Sequence, residues 1–329
     1  MTAPLPGSSE GRLVTVFGGS GFLGRQVARA LARRGFRVRA AMRRPDLAGA
    51  LQPCGGPGQV VAIQANIRPD HRWSIERAVE GADAVVNLVG ILAESSRQSF
   101  ATVQAEGARA IAEVTRAAGI GSMVHVSAIG AAADSTSIYA TSKAAGEAAV
   151  LATLPNSVIL RPSVMFGPDD DFFNKLGLIA SLSPVMPLIG GGHTRFQPVF
   201  VRDVAEAIAT AVEGKAKAGT TYELGGPEVK TFRDCAALVA QVAHRKPFMV
   251  PVPFAIAAFE ARFLQMLPKP LLTVDQVELL KSDNVVSDAA VAEGRTLAGL
   301  GIDPVSIEAE LESYIWRFRP RGQFERRPA

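Results

Sequence analysis

Three glycines in the stretch FGGSGFLG, Gly18, Gly21 and Gly24, have the residue type and spacing that bind phosphate groups. At Gly18 a tight bend at a strand end excludes a side chain, and at Gly21 the backbone approaches a pyrophosphate closely. Gly24, one turn into the next helix, lets that helix pack on the sheet with its free N–H groups facing the phosphates. The pattern GxxGxxG therefore predicts a dinucleotide site, with a plain strand-to-helix turn as the alternative. The predicted contact residues are Gly18, Ser20, Gly21, Phe22, Leu23 and Gly24.

The end of the second predicted strand indicates which dinucleotide this loop would hold. In NAD sites, an acidic residue about 20 residues after the glycines bonds the ribose 2′-hydroxyl. Here the sequence reads AMRRPD, with Arg43 and Arg44 and no carboxylate before Asp46. A guanidinium at this place pairs with a 2′-phosphate through charge-assisted hydrogen bonds. We therefore expect NADP(H) rather than NAD(H), with two merely solvated arginines as the alternative.

The elements that would position these residues alternate regularly along the chain. Apolar runs predict strands over 13–17, 36–42, 59–64, 84–90, 122–127 and 157–162. Between them, helical patterns cover 22–34, 72–80, 100–118 and 137–153. This alternation predicts an α/β fold, a Rossmann-type doubly wound parallel sheet with helices on both faces.

The rhythm breaks after residue 165, which predicts a second, smaller lobe of mixed structure interleaved with the first. The segment 183–198 is rich in proline and glycine and is predicted to be a loop, whereas 201–214 is predicted to be a helix that returns to the main sheet. The expected organisation begins with a disordered lead-in (1–11), followed by a dinucleotide-binding domain (12–165 plus about 198–214). A second lobe (166–197 and 215–318) and a basic tail (319–329) complete it.

Composition excludes several classes of function. The two cysteines, Cys54 and Cys235, lack CxxC spacing, and the four histidines form no HxxxH or HExxH pair, so we expect neither disulfides nor a metal. A net charge of +4 is too small to predict nucleic-acid binding. We find neither an export signal nor a run of about 18 apolar residues that would span a membrane.

Four further motifs are NLVG (87–90), QANI (64–67), YATSK (139–143) and RPSVMFGP (161–168). Taken with the glycine loop, they resemble the short-chain dehydrogenase/reductase superfamily in its extended or atypical branch. The resemblance implies that Asn66, in place of the usual Asp, and Ile67 bracket the adenine. It also implies nicotinamide-side contacts from Leu88, Val89, Gly90, Ser127, Tyr139, Lys143, Pro162, Ser163 and Val164.

The resemblance also implies a catalytic group, with two departures. Tyr139 would exchange a proton beside the hydride transfer, and Lys143, on the same helix face, would lower the pKa of Tyr139. The family requires a serine or threonine hydroxyl at the end of the fifth strand, and here that position is occupied by Ala128. Ser127, one residue earlier, would then point away from the site. If the register is shifted by one residue, Ser127 supplies the hydroxyl. Gln104 stands where extended members carry Asn. Tyr139 and Lys143 are therefore either active or vestigial.

Three longer stretches, 160–176, 190–208 and 272–287, are similar to the nucleotide-binding accessory subunit of respiratory complex I (NADH:ubiquinone oxidoreductase), in an alphaproteobacterial form. This resemblance implies NADPH kept as a structural element without independent turnover. It also implies the other subunits of the complex as partners and a peripheral place on the cytoplasmic face of the inner membrane. The alternative is a free NADP-dependent reductase, epimerase or dehydratase acting on a sugar nucleotide or an apolar carbonyl compound.

The segment 253–272 is unusually apolar for a soluble lobe. It is either core, a lid over an apolar substrate, or an exposed face for a membrane-embedded neighbour or the bilayer interface. The arginine-rich end beyond Trp316 either contacts acidic partner surfaces or lipid headgroups, or is simply solvated.

Overall fold

A computed structural model describes residues 11–95, 98–267 and 270–324, so the predicted lead-in and the last five residues lie almost wholly outside the described part. The chain divides into two compact units. Unit 1 holds the residues up to Arg161 together with Arg202–Glu223 and Ala289–Ile302. Unit 2 holds Pro162–Val201, Leu224–Asp288 and the residues from Asp303 onward.

A seven-stranded sheet forms the centre of unit 1, in the order β11-β6-β5-β4-β1-β2-β3. Its strands are β1 (Leu13–Phe17), β2 (Arg37–Met42), β3 (Val60–Gln64), β4 (Ala84–Asn87), β5 (Val124–Val126), β6 (Val158–Pro162) and β11 (Thr221–Leu224). Strands β1 to β6 pair in parallel. The predicted α/β fold with a Rossmann-type parallel sheet is confirmed.

Helices cover both faces of this sheet. They are α1 (Phe22–Arg33), α2 (Arg72–Val79), a π-helical segment (Ala101–Glu106), α3 (Gly107–Ala117), α4 (Ile138–Thr153), α6 (Val201–Val212) and α10 (Asp288–Ala292). One face packs Phe17, Val85 and Ile159 against α2, α3 and α4. At the C-terminal end of α1, Arg34 donates to Glu206 of α6 (2.6 Å) and to Glu213, the residue after α6 (3.0 Å).

Unit 2 contains three two-stranded sheets and five helices in its described part. The strands are β7 (Met165–Phe166), β8 (Val185–Ile189), β9 (Arg195–Phe196), β10 (Val199–Phe200), β12 (Lys230–Thr231) and β13 (Phe248–Val252). The helices are α5 (Phe172–Leu182), α7 (Phe232–Val242), α8 (Phe254–Leu264), α9 (Val274–Leu279) and α11 (Ile307–Ile315). Within its core, Tyr314 donates to Asp170 (2.6 Å).

Short 3₁₀ helices occur at Pro45–Cys54, Pro69–His71, Gly190–Gly192, Ala298–Leu300, Trp316–Phe318 and Gly322–Phe324.

Two predictions about unit 2 are wrong. The segment 183–198, predicted as a loop, contains β8, which pairs in parallel with β13 despite Pro187 and Pro251. Proline is tolerated because each strand of a two-stranded sheet is an edge strand. Residues 215–223 and 289–302 belong to unit 1 rather than the second lobe, because β11 extends the sheet and Arg295 donates to the Thr221 carbonyl (2.8 Å).

Helix α8 buries a narrow stripe and exposes a wide apolar one. Ala257 and Ala261 pack with Ile189 and Val277, whereas Phe259 and Phe263 are each 61% exposed and contact each other edge to face. Ile256, Met266 and Leu267 are exposed beside them. We call Ile256, Phe259, Phe263, Met266 and Leu267 the α8 stripe. No helix in the described residues has the length and apolar character needed to cross a bilayer.

The arginines at the C-terminal end contact their own unit. Arg317 donates to the Pro168 carbonyl (3.0 Å), and Arg319 donates to the Val242 carbonyl (2.9 Å). These two side chains therefore fasten the C-terminal segment within unit 2. Arg321 is exposed, and residues 325–329 lie outside the described part.

Candidate functional site

The glycine loop joins β1 to α1 at the carboxyl edge of the sheet. Gly18 has a positive φ of 84°, and a Cβ there would lie 3.3 Å from the Leu88 carbonyl carbon. A Cβ at Gly24 would lie 2.3 Å from the Gly18 oxygen, and one at Gly19 would lie 2.7 Å from Ala40 Cβ. The fold itself therefore requires these three glycines, and sequence reasoning did not single out Gly19.

Gly21 is different, because it is the N-cap of α1 and no side chain caps the helix there. A Cβ at Gly21 would meet only the Gly18 oxygen, at 3.3 Å, so Gly21 faces open space. The first-turn N–H groups of α1 have no intrahelical acceptor and carry the positive end of the helix dipole. The loop thus fits a pyrophosphate, with its free N–H groups and no side chain in the way.

The two arginines after β2 differ in their partners. Arg44 forms a two-point ion pair with Asp46, at 2.9 Å from Nε to Oδ1 and 2.7 Å from Nη2 to Oδ2. Arg43 is exposed, and no side chain in the described part of the chain pairs with it. At this strand end, only the Arg43 guanidinium is left to bind a ribose phosphate.

The predicted adenine residues lie after β3. The Asn66 side chain accepts a hydrogen bond from the Arg68 N–H (3.3 Å), and its backbone N–H donates to Ser74 Oγ (3.0 Å). Ile67 is buried, and a Cβ at Gly107 would lie 2.5 Å from Ile67 Cδ1. Asn66 thus shapes the turn, while Ile67 packs on the start of α3.

Strand β4 ends at Asn87, earlier than the predicted residue 90, because the Asn87 side chain turns the chain. Its Oδ1 accepts from the Val89 N–H (3.0 Å). Leu88 and Val89 are half-buried, and Gly90 is exposed. Because a Cβ at Gly18 would lie 3.3 Å from the Leu88 carbonyl carbon, the turn 88–90 lies beside the glycine loop.

Lys143 lies at the same edge of the sheet. Its Nζ donates to the Val126 carbonyl (3.2 Å), and a Cβ at Gly90 would lie 3.1 Å from that Nζ. Burial lowers the pKa of Lys143 to about 8, opposed by the charge of Glu147. Glu147 is itself held by Arg161, at 2.8 and 2.6 Å.

Tyr139 lies one helical turn before Lys143. The N-cap Ser137, which accepts from the Ala140 N–H (3.2 Å), starts α4 just ahead of it. The Tyr139 ring packs edge to face on Phe100 with centroids 5.7 Å apart, and Lys143 Nζ lies 6.0 Å from the ring centroid. The structure thus brings the tyrosine ring and the ammonium group together.

Ser127 directly follows β5, two residues after His125. The register partner of His125 is Ile159, whose side chain packs with residues of α2, α3 and α4. The alternation of side chains along β5, continued by one residue, predicts this same face for Ser127. Ser127 is 4% exposed, and its Oγ is buried with no hydrogen-bond partner among the described residues.

Gln104 lies in the π-helical segment against α4. A Cβ at Gly146 would lie 2.3 Å from the Gln104 carbonyl oxygen, so the two helices touch through backbone. The Gln104 side chain donates to the Ile91 carbonyl (3.1 Å). Such π-turns are frequent at functional sites.

Three predicted contact residues belong to unit 2. Pro162 and Ser163 are buried and Val164 is half-buried. The Ser163 hydroxyl is bonded to Asn284, donating at 2.7 Å to its Oδ1, and Val164 N–H donates to the same oxygen (3.1 Å). Asn284 therefore fixes this segment.

Sequence reasoning missed Asn87 and His125, two buried polar residues that bond to each other across neighbouring strands. The signal available was a histidine inside the apolar run SMVHVS. Within the described ranges, no group of three or more His, Cys, Asp and Glu side chains is arranged to hold a metal ion.

Comparisons with known proteins agree with this geometry. Residues 14–225 match the NAD dependent epimerase/dehydratase family. The chain is 36% identical over 296 residues to NADH dehydrogenase [ubiquinone] 1 alpha subcomplex subunit 9 of Arabidopsis thaliana, covering 86% of this chain and 73% of that protein. It is 31% identical over 292 residues to a ceramide reductase of Caulobacter vibrioides, covering 86% and 88%.

Among solved structures, the dTDP-glucose 4,6-dehydratase DesIV of Streptomyces venezuelae, determined with NAD and TYD bound, superposes with a TM-score of 0.70. The identity is 20%, over 95% of this chain and 99% of that one. At this identity the likeness establishes the fold alone.

Proposed function

The chain belongs to the NAD-dependent epimerase/dehydratase family, and on that premise we propose that it is an NADP(H)-binding accessory subunit of respiratory complex I. The observation that carries the proposal is the 36% identity to a complex I subunit over 86% of the chain. In this role the nucleotide is structural and serves stability and assembly, without independent turnover.

The residues of unit 1 supply the groups that such a nucleotide needs. The N-terminus of α1, with Ser20, Gly21, Phe22 and Leu23, takes the pyrophosphate, and Arg43 pairs with the 2′-phosphate. Asn66 and Ile67 form the adenine side. Leu88, Val89, Gly90, Ser127, Tyr139 and Lys143 serve the nicotinamide half.

Assembly tests this proposal directly. Tagged wild-type protein, extracted from its host's membranes in mild detergent, should migrate with complex I on a native gel. Gly21→Asp adds bulk and negative charge where the pyrophosphate would lie, so it should lower the melting temperature and the amount of assembled complex. Gly49→Asp is the matched control, because nothing lies within 4 Å of a Cβ at Gly49. A wild-type protein that always migrates alone rejects the proposal.

The proposed location is peripheral, on the cytoplasmic face of the inner membrane, with membrane contact through 253–272 and the basic tail. The α8 stripe supports this, because large apolar side chains that remain exposed mark interaction surfaces. Of the tail arginines in the described part, Arg321 is exposed toward solvent.

Vesicle flotation tests the membrane contact. Phe259→Ser combined with Phe263→Ser should reduce binding to vesicles of mixed neutral and anionic phospholipid several-fold. Folding stability should change by only about 0.5 kcal/mol, since both side chains are largely exposed. Trp73→Ser, a 57% exposed aromatic of unit 1, is the matched control and should leave flotation unchanged. Equal flotation of the double variant and wild type contradicts the contact.

A second candidate is a free NADP-dependent reductase, epimerase or dehydratase, favoured by the place of Ser127. Ser127 directly follows β5, and the carbonyl of the preceding Val126 accepts a hydrogen bond from Lys143 of α4, the helix that also carries Tyr139. The likeness to a ceramide reductase, 31% identical, supports an apolar carbonyl substrate over a sugar nucleotide.

In this second role, bound NADPH would supply a hydride to a carbonyl carbon. Tyr139 would give its phenolic proton to the carbonyl oxygen, and Ser127 would donate a hydrogen bond to the same oxygen. The Lys143 ammonium beside the ring would lower the pKa of the Tyr139 phenol. Turnover of a long-chain ketone that falls at least 100-fold in Tyr139→Phe would support this candidate. Unchanged turnover in that variant would reject it.

A further inference from the structure

A buried histidine lies at the carboxyl edge of the sheet, and none of the roles above uses it. His125 is the middle residue of β5 and is 2% exposed. Its register partner across the sheet is Asn87, the last residue of β4, which is 1% exposed. The two side chains are bonded, with 3.1 Å between Asn87 Nδ2 and His125 Nδ1.

The bonds of Asn87 determine which nitrogen of His125 carries the proton. Asn87 Oδ1 accepts from the Val89 N–H, so the Nδ2 group is the one that faces the ring. An amide NH₂ only donates, hence Nδ1 accepts and the neutral ring has its proton on Nε2. Burial, with the nearby charge of Lys143, lowers the pKa of His125 to about 3, so the ring stays neutral. The Nε2 atom is buried and has no partner in the described part of the chain.

Ser127, two residues further along the strand, presents a second buried polar atom without a partner. Residues two apart on a strand have Cα atoms about 6.6 Å apart and side chains on one face. Within the described residues neither atom bonds to the other or to a third group, and buried polar atoms of this kind are joined by one bridging water with bonds of about 2.8 Å. Between them, the Val126 carbonyl accepts from Lys143.

We propose that His125 is a positioning residue for Ser127, donating from Nε2–H through one buried water to Ser127 Oγ. With its oxygen engaged as an acceptor, the buried Ser127 hydroxyl fixes the chain at the end of β5, beside the Val126 carbonyl that holds Lys143 of the proposed nicotinamide site. The donors then run in one direction, from Val89 N–H through Asn87 and His125 to Ser127. Bonds in such a chain polarise one another. The inference rests on the proposed dinucleotide site for its ligand, although not for the chain of bonds itself.

Three substitutions of His125 separate this role from simple packing. The side-chain N–H of Gln extends to the place of Nε2, that of Asn reaches only the place of Nδ1, and Leu donates nothing. In fluorescence titrations with NADPH, His125→Leu and His125→Asn should weaken binding about 3- to 10-fold, as expected for one lost hydrogen bond. His125→Gln should restore affinity to within about twofold of wild type. Ser127→Ala should show the same loss as His125→Leu, and the two should not add in the double variant. Equal losses in all three His125 variants, or full additivity with Ser127→Ala, would overturn the proposal.

A spectrum of the protein without nucleotide keeps the two proposals distinguishable. In ¹H–¹⁵N correlation spectra, His125 should show a proton on Nε2, none on Nδ1, and no titration between about pH 5.5 and 9. Ser127→Ala should move the Nε2–H resonance, because the two groups share one water. An Nδ1–H tautomer or an unmoved resonance overturns the role of His125. If the wild-type protein gives the expected spectra but does not bind NADPH, the dinucleotide proposal is overturned, while the chain of hydrogen bonds from Asn87 to Ser127 remains supported.

Discussion

Arg43 and Arg44 are adjacent arginines, yet their side chains differ in their contacts. Arg44 is bound to Asp46, whereas Arg43 is exposed with its guanidinium available. We expect Arg43→Ala to weaken NADPH binding about 10- to 100-fold, because a charge-assisted pair with the 2′-phosphate is lost. NADH binding, measured by the same calorimetric titration, should be unchanged.

Arg44→Ala is the control for Arg43→Ala. It removes an equal charge from the same loop, so it should reduce NADPH affinity only slightly. If the two variants lose the same affinity, or if wild type binds NADH as tightly as NADPH, specificity does not reside in Arg43.

Lys143 is expected to destabilise the protein when no nucleotide is bound. Burial lowers its pKa from 10.5 to about 8, so keeping it charged at pH 7 costs on the order of 3 kcal/mol. Lys143→Met should therefore raise the free energy of unfolding of the nucleotide-free protein, by about 1–3 kcal/mol, while weakening NADPH binding.

The pH dependence of this effect has a definite sign. The folded state binds fewer protons than the unfolded state between pH 8 and 10.5, so wild-type stability rises with pH in that window. The advantage of Lys143→Met should be constant below about pH 8 and shrink above it, as measured by urea unfolding. Lys215→Met, at a 69% exposed side chain, should show no such trend. A variant less stable than wild type at pH 7 contradicts the argument.

At the residue level, the sequence predicted those positions at which the spacing of a motif determines the backbone geometry. Gly18 and Gly24 are glycines because backbone atoms occupy the space of a Cβ, and their spacing predicted this. Asn87 and His125 could not be predicted, because each reads as an isolated polar residue until two strands 38 residues apart come into register. The face on which Ser127 lies likewise depended on the register of β5, which three residues of strand do not specify.

At the scale of elements, α1 and the glycine loop pack through backbone atoms in close contact. Gly24→Ala would place a methyl group 2.3 Å from the Gly18 oxygen and 2.7 Å from Gly19 Cα. Both are backbone atoms, so the helix must move. We expect a loss of about 1–3 kcal/mol in stability by chemical denaturation, with weaker NADPH binding. Gly49→Ala, where nothing lies within 4 Å, should be neutral or slightly stabilising. Equal stability of the two variants would contradict the packing argument.

Strands β1 to β6 were predictable because each is a mainly apolar run between turn residues. Strands β8 and β13 were not, because each contains proline and the two pair across about 60 residues of chain. Their pairing is a tertiary property, which local pattern does not contain.

At the scale of the whole molecule, nucleotide binding should appear as stability. A ligand that binds only the folded state at 100 times its Kd adds about 2.7 kcal/mol. For a unit of this size we expect the melting temperature to rise about 5–10 °C with NADPH, by scanning calorimetry. NADH at equal concentration should give a smaller shift, and a melting temperature insensitive to both nucleotides would contradict the site.

The division into two units also exceeds what the sequence could predict. The stretch Ala289–Ile302 returns to unit 1 through the bond from Glu223 N–H to the Arg295 carbonyl (2.9 Å). Nothing in the local pattern of that stretch distinguishes it from the chain on either side.

Unit 1 is assembled from three separate stretches of chain, so it cannot fold completely until the last of them has been synthesised. The glycine loop leaves the ribosome early, yet β11 follows only after residue 220, and the last stretch ends at Ile302 of 329 residues. At a translation rate of about 5–20 residues per second, β11 is synthesised many seconds after β1. A nascent chain that has not yet reached Ile302 therefore lacks part of unit 1, and we expect a nucleotide to bind stably only after that stretch has been synthesised.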